Sequence, residues 1–247
     1  MFKTRKKQPN SEREVVVYKL RDISDSMVSA WKHYFKDYPD TVEVSHGDIF
    51  KGGPTADAIV SPANSFGFMD GGIDMFYSIH FGWQMQDRLQ QVINKEKDGE
   101  LLVGDAVIIR AYENDEAEQK ICAEEVPELS IFNEGRPIRY LISAPTMRVP
   151  QEVRQTVNAY LAFRAVILAV QRHNADSIKV PITSVLCPGL GTAVGRMAKP
   201  QCAKQMLAAY ETFELGMHKK RREPESLHDM SMDEENMKEV PGIEALD

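Results

Sequence analysis

The sequence predicts an α/β domain with a mostly parallel or mixed sheet and helices on both faces of the sheet. Short apolar runs bounded by turn residues alternate with longer stretches of helical periodicity, the pattern of strands joined by crossover helices. Glycine-rich turns at residues 67–72 and 189–195 each follow one of these runs. Because ligands in such sheets bind outside the carboxyl ends of the strands, the pattern also predicts a binding site at one edge of the sheet.

The individual elements follow from the same signals. Apolar runs predict strands at residues 15–18, 41–44, 58–60, 106–109, 140–143, 178–180 and 182–186. Ser24 and Asp25 are N-cap candidates for a first helix, which Pro39 ends. Further helices are predicted after Asp74, with Gly82 as a packing point or a break, and over residues 153–170 and 199–215.

Length and composition suggest one domain flanked by tails. The 247 residues, 43% of them hydrophobic, can bury a sizeable core. Residues 1–12 are predicted to be a disordered basic tail, 13–217 the folded domain, and 218–247 a disordered charged tail. Within the domain, an acidic insertion is predicted at about 113–138, and its length is typical of functional lids or disordered insertions.

Charge and cysteine usage exclude several classes of protein. The net charge of −7 argues against a nucleic-acid partner held by a basic surface, and no apolar run approaches a membrane span. We therefore expect a cytoplasmic or nuclear protein with no membrane partner; the basic N-terminus is either a solvated tail or a nuclear address. Cys122, Cys187 and Cys202 lack C-x-x-C spacing, so reduced thiols are expected, with no metal site and no cofactor. The oligomeric state is left open.

The most informative stretch lies between residues 58 and 74. An apolar run at 58–60 is followed by Asn64, a turn with Gly71 and Gly72, and a helix predicted to start near Asp74. A helix N-terminus after a glycine-rich turn presents unpaired backbone N–H groups, which together with the helix dipole favour phosphate. The alternative is an ordinary tight connection between a strand and a helix.

This stretch resembles the signature of the macro domain, an ADP-ribose-binding fold, which reads roughly V-N-A-A-N-S-x-L-x-G-G-G-G-V-D-G. The spacing from Asn64 to Asp74 matches without a gap. Residues 47–49 resemble the family's G-D-I, 104–107 its G-x-A-x turn, and 188–195 its second phosphate loop. The similarity covers about residues 14 to 216 and implies a three-layer macro-domain-like fold.

The sequence departs from the signature at several positions. Ser61 stands where many members have the first Asn, Met69 and Asp70 replace two glycines, and Ser78 replaces a frequent His. Leu190 lies near the position of an aromatic residue that typically packs on the far ribose.

The resemblance implies a role for each matching residue in binding. Asp48 would accept a hydrogen bond from the adenine amino group, with the Ile49 backbone against the base; Asn64 would contact the distal ribose. Two loops would hold the diphosphate, through Gly71, Gly72 and Ile73 on one side and Gly189, Leu190, Gly191 and Thr192 on the other. Structural roles in turns are the alternatives for Asp48 and Asn64.

The resemblance also implies a catalytic candidate. Asp74 would help to position or activate water against the distal ribose, or it would be only a helix N-terminal acid. The sequence thus predicts binding of ADP-ribose or of ADP-ribosylated protein, and it leaves open whether the chain is an ADP-ribosyl hydrolase. The alternatives are a non-catalytic ADP-ribose reader and, more distantly, a methyltransferase-like nucleotide-binding domain, which would leave residues 64–74 unexplained.

Overall fold

The computed structural model describes residues 15–112 and 136–239, and these form a six-stranded mixed sheet with helices on both faces. The strands are β1 (Val17–Asp22), β2 (Val42–His46), β3 (Ala58–Ser61), β4 (Val107–Arg110), β5 (Tyr140–Ser143) and β6 (Ser184–Cys187). The helices are α1 (Asp25–Tyr34), α2 (Gly72–Phe81), α3 (Gln84–Glu96), α4 (Asn158–Asn174), α5 (Lys199–Ala209), α6 (Lys219–Arg222) and α7 (Leu227–Lys238), and a π-helical turn, Tyr210–Glu214, extends α5.

The sheet has the order β2-β1-β6-β3-β5-β4, and only the pairing of the edge strand β4 with β5 is antiparallel. The carboxyl ends of the parallel strands therefore lie at the same edge of the sheet. The α/β class predicted from the alternation of apolar runs and helical stretches is confirmed, including the mostly parallel sheet covered on both faces.

Two apolar clusters cover the two faces of the sheet. The larger cluster contains buried residues of α1, α4 and α5, such as Trp31, Phe163 and Met206. The smaller cluster contains residues of α2 and α3, such as Tyr77 and Leu89. In β3 the side chains alternate between the clusters, with Val60 in the larger and Ile59 in the smaller.

Several local predictions are confirmed. Ser24 is the N-cap of α1 and accepts a hydrogen bond from the backbone N–H of Met27. Gly82 separates α2 from α3 and has a positive φ of 96°, which glycine adopts without steric cost.

Some element boundaries differ from those predicted. Helix α2 begins at Gly72, before Asp74, and α4 begins at Asn158 rather than near residue 153. Residues 178–180 are not a strand, and the Ile178 side chain is 93% exposed. A short apolar run alone does not reveal whether a neighbouring strand is available to pair with it.

The C-terminal region also differs from the disordered tail that its charge predicts. Arg221 forms a bidentate pair with Asp233 at 2.8 Å, which ties α6 to α7. The Met237 side chain is buried, and the Lys204 side chain donates to the backbone carbonyls of Asn236 and Glu239. The predicted basic tail at 1–12, most of the acidic insertion and residues 240–247 lie outside the described residues.

Candidate functional site

A crevice at the carboxyl edge of the sheet follows from the strand order. Strands β3 and β6 are parallel neighbours, but the chain leaves them towards opposite faces. After β3 it enters α2, which packs in the smaller cluster, and after β6 it enters α5, which packs in the larger one. Such a switch point opens a crevice between the two departing loops, here residues 64–72 and 189–195.

The loop after β2 carries Asp48, and this carboxylate organises its own turn. One oxygen, Oδ1, accepts hydrogen bonds from the backbone N–H groups of Phe50 at 2.9 Å and Lys51 at 2.8 Å. The side chain is otherwise exposed, whereas Ile49 is buried. The structural role considered for Asp48 is therefore present, and its proposed contact with adenine would be additional.

Arg21 of β1 holds the Asp48 loop in place through hydrogen bonds to its backbone. Its Nε donates to the carbonyl of Asp48 at 2.6 Å, and its Nη atoms donate to Ser45 Oγ at 3.0 Å and to the carbonyl of Lys51 at 3.2 Å. The guanidinium also lies so close to Gly47 that a Cβ there would clash with Nη2. Burial lowers the pKa of Arg21, and the nearby Asp48 opposes this effect.

The Asn64 side chain also holds a turn. Its Oδ1 accepts from the backbone N–H groups of Phe66 at 3.1 Å and Phe68 at 3.3 Å, and its Nδ2 donates to the carbonyl of Phe68 at 2.9 Å. These bonds shape the loop that leads to Gly71. A contact with a ribose would require Asn64 to share or exchange some of them.

The N-terminus of α2 is open to the outside. Gly71 and Gly72 are exposed, and a Cβ built on either would meet no atom within 4 Å. Gly72 has a φ of 57°, a conformation that side-chain-bearing residues rarely adopt. The first N–H groups of this helix have no intrahelical acceptor, so an anion can approach them closely.

The loop after β6 is only partly available to a ligand. The backbone N–H of Gly189 already donates to Asp22 Oδ2 at 3.1 Å, and the Leu190 side chain is fully buried in the larger cluster. Leu190 can therefore contact a ligand only through its backbone. Gly191, with a φ of 70°, and the half-buried Thr192 continue the loop.

Asp74 lies in the first turn of α2, next to the loop of residues 64–72, and only 5% of its surface is exposed. Ser61, the last residue of β3, donates a hydrogen bond of 2.5 Å from Oγ to Asp74 Oδ1. Burial raises the pKa of Asp74 to about 7, and the hydrogen bond from Ser61 partly opposes this rise. Asp74 can therefore gain or lose a proton near neutral pH, as a general acid or base must.

The raised pKa predicts how stability depends on pH. A carboxyl whose pKa is higher in the folded than in the unfolded chain stabilises the fold below the unfolded value, about 3.9, and this contribution is lost as pH rises through about 7. In Asp74→Asn the group stays neutral. We expect the two proteins to differ little near pH 4.5, and the variant to be more stable by about 2–4 kcal/mol at pH 8. Urea unfolding at both pH values measures this; a pH-independent difference would contradict it.

The remaining candidates at the site are not reactive in this arrangement. Cys187, at the end of β6, is buried, and burial raises its pKa well above the ordinary value. Within residues 15–112 and 136–239, no group of three His, Cys, Asp or Glu side chains could hold a metal ion. In the same residues, no helix is both long enough and apolar enough to cross a membrane.

Sequence reasoning missed two of the residues that build this site. Arg21 and Asp22 end an apolar strand and belong to no motif, yet one holds the Asp48 loop and the other holds Gly189. In the sequence Ser61 is only a departure from the macro domain signature, and its contact with Asp74 joins residues 13 positions apart. The only sequence signal for a role of Arg21 and Asp22 was the presence of two adjacent charged residues at the end of a strand.

Comparison with known proteins gives matches only among solved structures. No family model matches the sequence, and no curated protein matches it. The macrodomain of Mycobacterium tuberculosis DarG is 17% identical, with 68% of this chain and 88% of that chain covered and a TM-score of 0.47. A mutant of the Oceanobacillus iheyensis macrodomain with ADPR is 19% identical, with 64% of this chain and 71% of that chain covered and a TM-score of 0.47.

The macrodomain of Thermus aquaticus DarG is 14% identical, with 64% of this chain and 84% of that chain covered and a TM-score of 0.44. These three solved structures are macrodomains.

Proposed function

We propose that this chain binds ADP-ribose, free or attached to a protein, in the crevice between residues 64–72 and 189–195. The observation that carries the proposal is the placement of two glycine-rich loops on neighbouring parallel strands whose chains leave towards opposite faces. One loop opens the N-terminus of a ten-residue helix, where backbone N–H groups and the helix dipole favour phosphate. Two glycine-rich loops at the ends of neighbouring strands suit a diphosphate better than a single phosphate.

The remaining parts of the ligand fit the side chains around the crevice. The Asp48 carboxylate only accepts hydrogen bonds, so it selects a base with an amino group, such as adenine. Asn64 can donate and accept through one amide, which suits the adjacent hydroxyls of a ribose. Asp74 lies next to the predicted diphosphate loop, and its pKa of about 7 suits a general base for hydrolysis of an ADP-ribosyl bond.

Calorimetric titration tests the binding proposal directly. We expect folded protein to bind ADP-ribose with a higher affinity than AMP, because AMP offers one phosphate to two loops. The absence of heat with ADP-ribose at millimolar ligand, with the fold verified by circular dichroism, would overturn the proposal. Equal affinity for both ligands would overturn the assignment of the two loops to a diphosphate.

A non-catalytic reader is the second candidate, and the burial of Asp74 favours it. A carboxylate that is 5% exposed and already bonded to Ser61 reaches a substrate only if the ligand or the loop displaces what covers it. A reader would bind the ADP-ribosylated protein and release nothing. Incubation of the chain with such a protein, followed by detection of released ADP-ribose, distinguishes the two functions.

Asp48→Asn separates the structural role of this residue from its proposed role in recognising the base. The amide oxygen can still accept from Phe50 and Lys51, whereas the amide NH₂ group cannot accept from adenine. We expect the affinity for ADP-ribose to fall by about 1.5–3 kcal/mol, the value of a hydrogen bond to a charged group. The affinity for the hypoxanthine analogue, which lacks the amino group, should not fall; equal losses for both ligands would assign Asp48 to the turn alone.

A further inference from the structure

Hydrogen bonds at two consecutive residues, Val60 and Ser61, attach the end of β3 to α2. The Tyr77 hydroxyl donates to the carbonyl of Val60 at 3.0 Å, and the Ser61 hydroxyl donates to Asp74 Oδ1 at 2.5 Å. Asp74 and Tyr77 lie three residues apart, about one helical turn, so they occupy the same side of α2. The strand therefore fixes both the position of the helix and the orientation of its one buried carboxyl group.

The Val60 carbonyl, the Ser61 and Tyr77 hydroxyls and the Asp74 carboxylate are all shielded from water, and this shielding strengthens the hydrogen bonds between them. Ser61 and Tyr77 are fully buried, and Asp74 is 5% exposed. Hydrogen bonds to a charged group are stronger in such surroundings, and a buried carboxylate without one is costly.

We propose that Ser61 is a positioning residue for Asp74, whose hydroxyl holds one carboxylate oxygen so that the other is presented to the ligand. The effect of Ser61 on catalysis rests on the proposed function, whereas the contact between Ser61 and Asp74 does not. The hydrogen bond from Ser61 uses Oδ1, so Oδ2 is the oxygen that water or substrate would meet once the cover over Asp74 is displaced. Asp74 is the catalytic candidate, and Ser61 acts through it.

The other titratable groups around Asp74 act on it less directly. Tyr77 on the same helix interacts with Asp74, and Tyr77 in turn interacts with Cys187 at the end of β6 and Asp22 at the end of β1. His80, one turn further along α2, is turned against Phe50, with their rings stacked at 3.9 Å. For Asp74 itself, burial and the hydrogen bond from Ser61 are the two causes of its pKa.

Titration of the Asp74 carboxyl carbon by NMR tests the contact without any assumption about function. In Ser61→Ala the ionised form loses its hydrogen bond, so the titration midpoint should move to higher pH by more than about half a pH unit. Ser61→Cys keeps the shape of the side chain, with a somewhat larger atom that is a weak donor, and should move the midpoint in the same direction. Ser78→Ala is the matched control, because Ser78 is a buried serine on α2 that donates to the carbonyl of Met69.

Binding and turnover then separate this proposal from the proposed function. If the parent releases ADP-ribose from a modified protein, Ser61→Ala should lower kcat about tenfold and leave KM nearly unchanged, with the acid limb of the pH profile moved in parallel with the NMR midpoint. A parent that binds ADP-ribose, with an Asp74 midpoint identical in the parent and both Ser61 variants, would overturn the proposal for Ser61 alone. A parent that does not bind ADP-ribose would overturn the proposed function, while the NMR result still decides the contact.

Discussion

Replacement of Asp74 by Asn is expected to lower the rate of ADP-ribosyl hydrolysis by about 100-fold or more, with only a modest loss of affinity for ADP-ribose. The amide keeps the size of the carboxyl group and can still accept from Ser61, so the turn should keep its shape. It cannot take a proton from water. The measurement is release of ADP-ribose from an ADP-ribosylated protein under single-turnover conditions at pH 8, where most of the parent's Asp74 is ionised.

Asp87→Asn is the matched control for this experiment. It makes the same change in an exposed carboxylate in the first turn of the neighbouring helix α3, outside the crevice, so it should leave turnover unchanged. If the parent itself releases no ADP-ribose from any modified protein, the reader function replaces the enzymatic one. If turnover survives in Asp74→Asn, the chemistry occurs but another group performs it, and a phosphate of the ligand that orients the water becomes the next candidate.

The fold could be predicted largely from local signals. The N-cap at Ser24 and the glycine at 82 are each determined within a few residues, and both are observed. The apolar runs that form β3 and β5 are buried on both faces of the sheet, so no choice between a buried and an exposed face had to be predicted for them. The run at 178–180 carried the same local signal but pairs with no strand of the described sheet, because pairing depends on distant residues.

The C-terminal helices show the limit of a composition rule. Charge dominates beyond residue 218, and such composition is typical of disorder. The charges here are complementary in space, with Arg221 opposite Asp233, and one apolar side chain, Met237, finds a buried position. Composition reveals neither which acidic side chain pairs with Arg221 nor whether Met237 is buried, so these contacts could not be predicted.

The candidate site, too, could be predicted only in part from the sequence. The loops that contain Asp48, Asn64 and Gly189 could be placed at one edge, because each follows a predicted parallel strand. Their existing hydrogen bonds could not be predicted, since the carboxylate of Asp22 reaches Gly189 across 167 residues of sequence. Two of the proposed ligand-binding side chains, Asp48 and Asn64, already organise their own loops, which preorganises the crevice.

Replacement of Gly72 by Val is the second large effect that we expect. Gly72 has a φ of 57°, and a Cβ at this position would project into open space, with no protein atom within 4 Å. The added side chain would therefore occupy the space through which a diphosphate approaches the N-terminus of α2. Loss of even one N–H to phosphate contact corresponds to roughly a tenfold or larger fall in the affinity for ADP-ribose, measured by calorimetry.

Backbone strain is the competing explanation for such a loss, and Gly216→Val controls for it. Gly216 has a φ of 71°, and a Cβ there likewise meets no atom within 4 Å, but it lies beyond α5, outside the crevice. Both variants should lose stability by about 1–3 kcal/mol from the strained conformation. Only Gly72→Val should lose affinity. If it binds ADP-ribose as well as the parent does, the N-terminus of α2 does not hold the diphosphate.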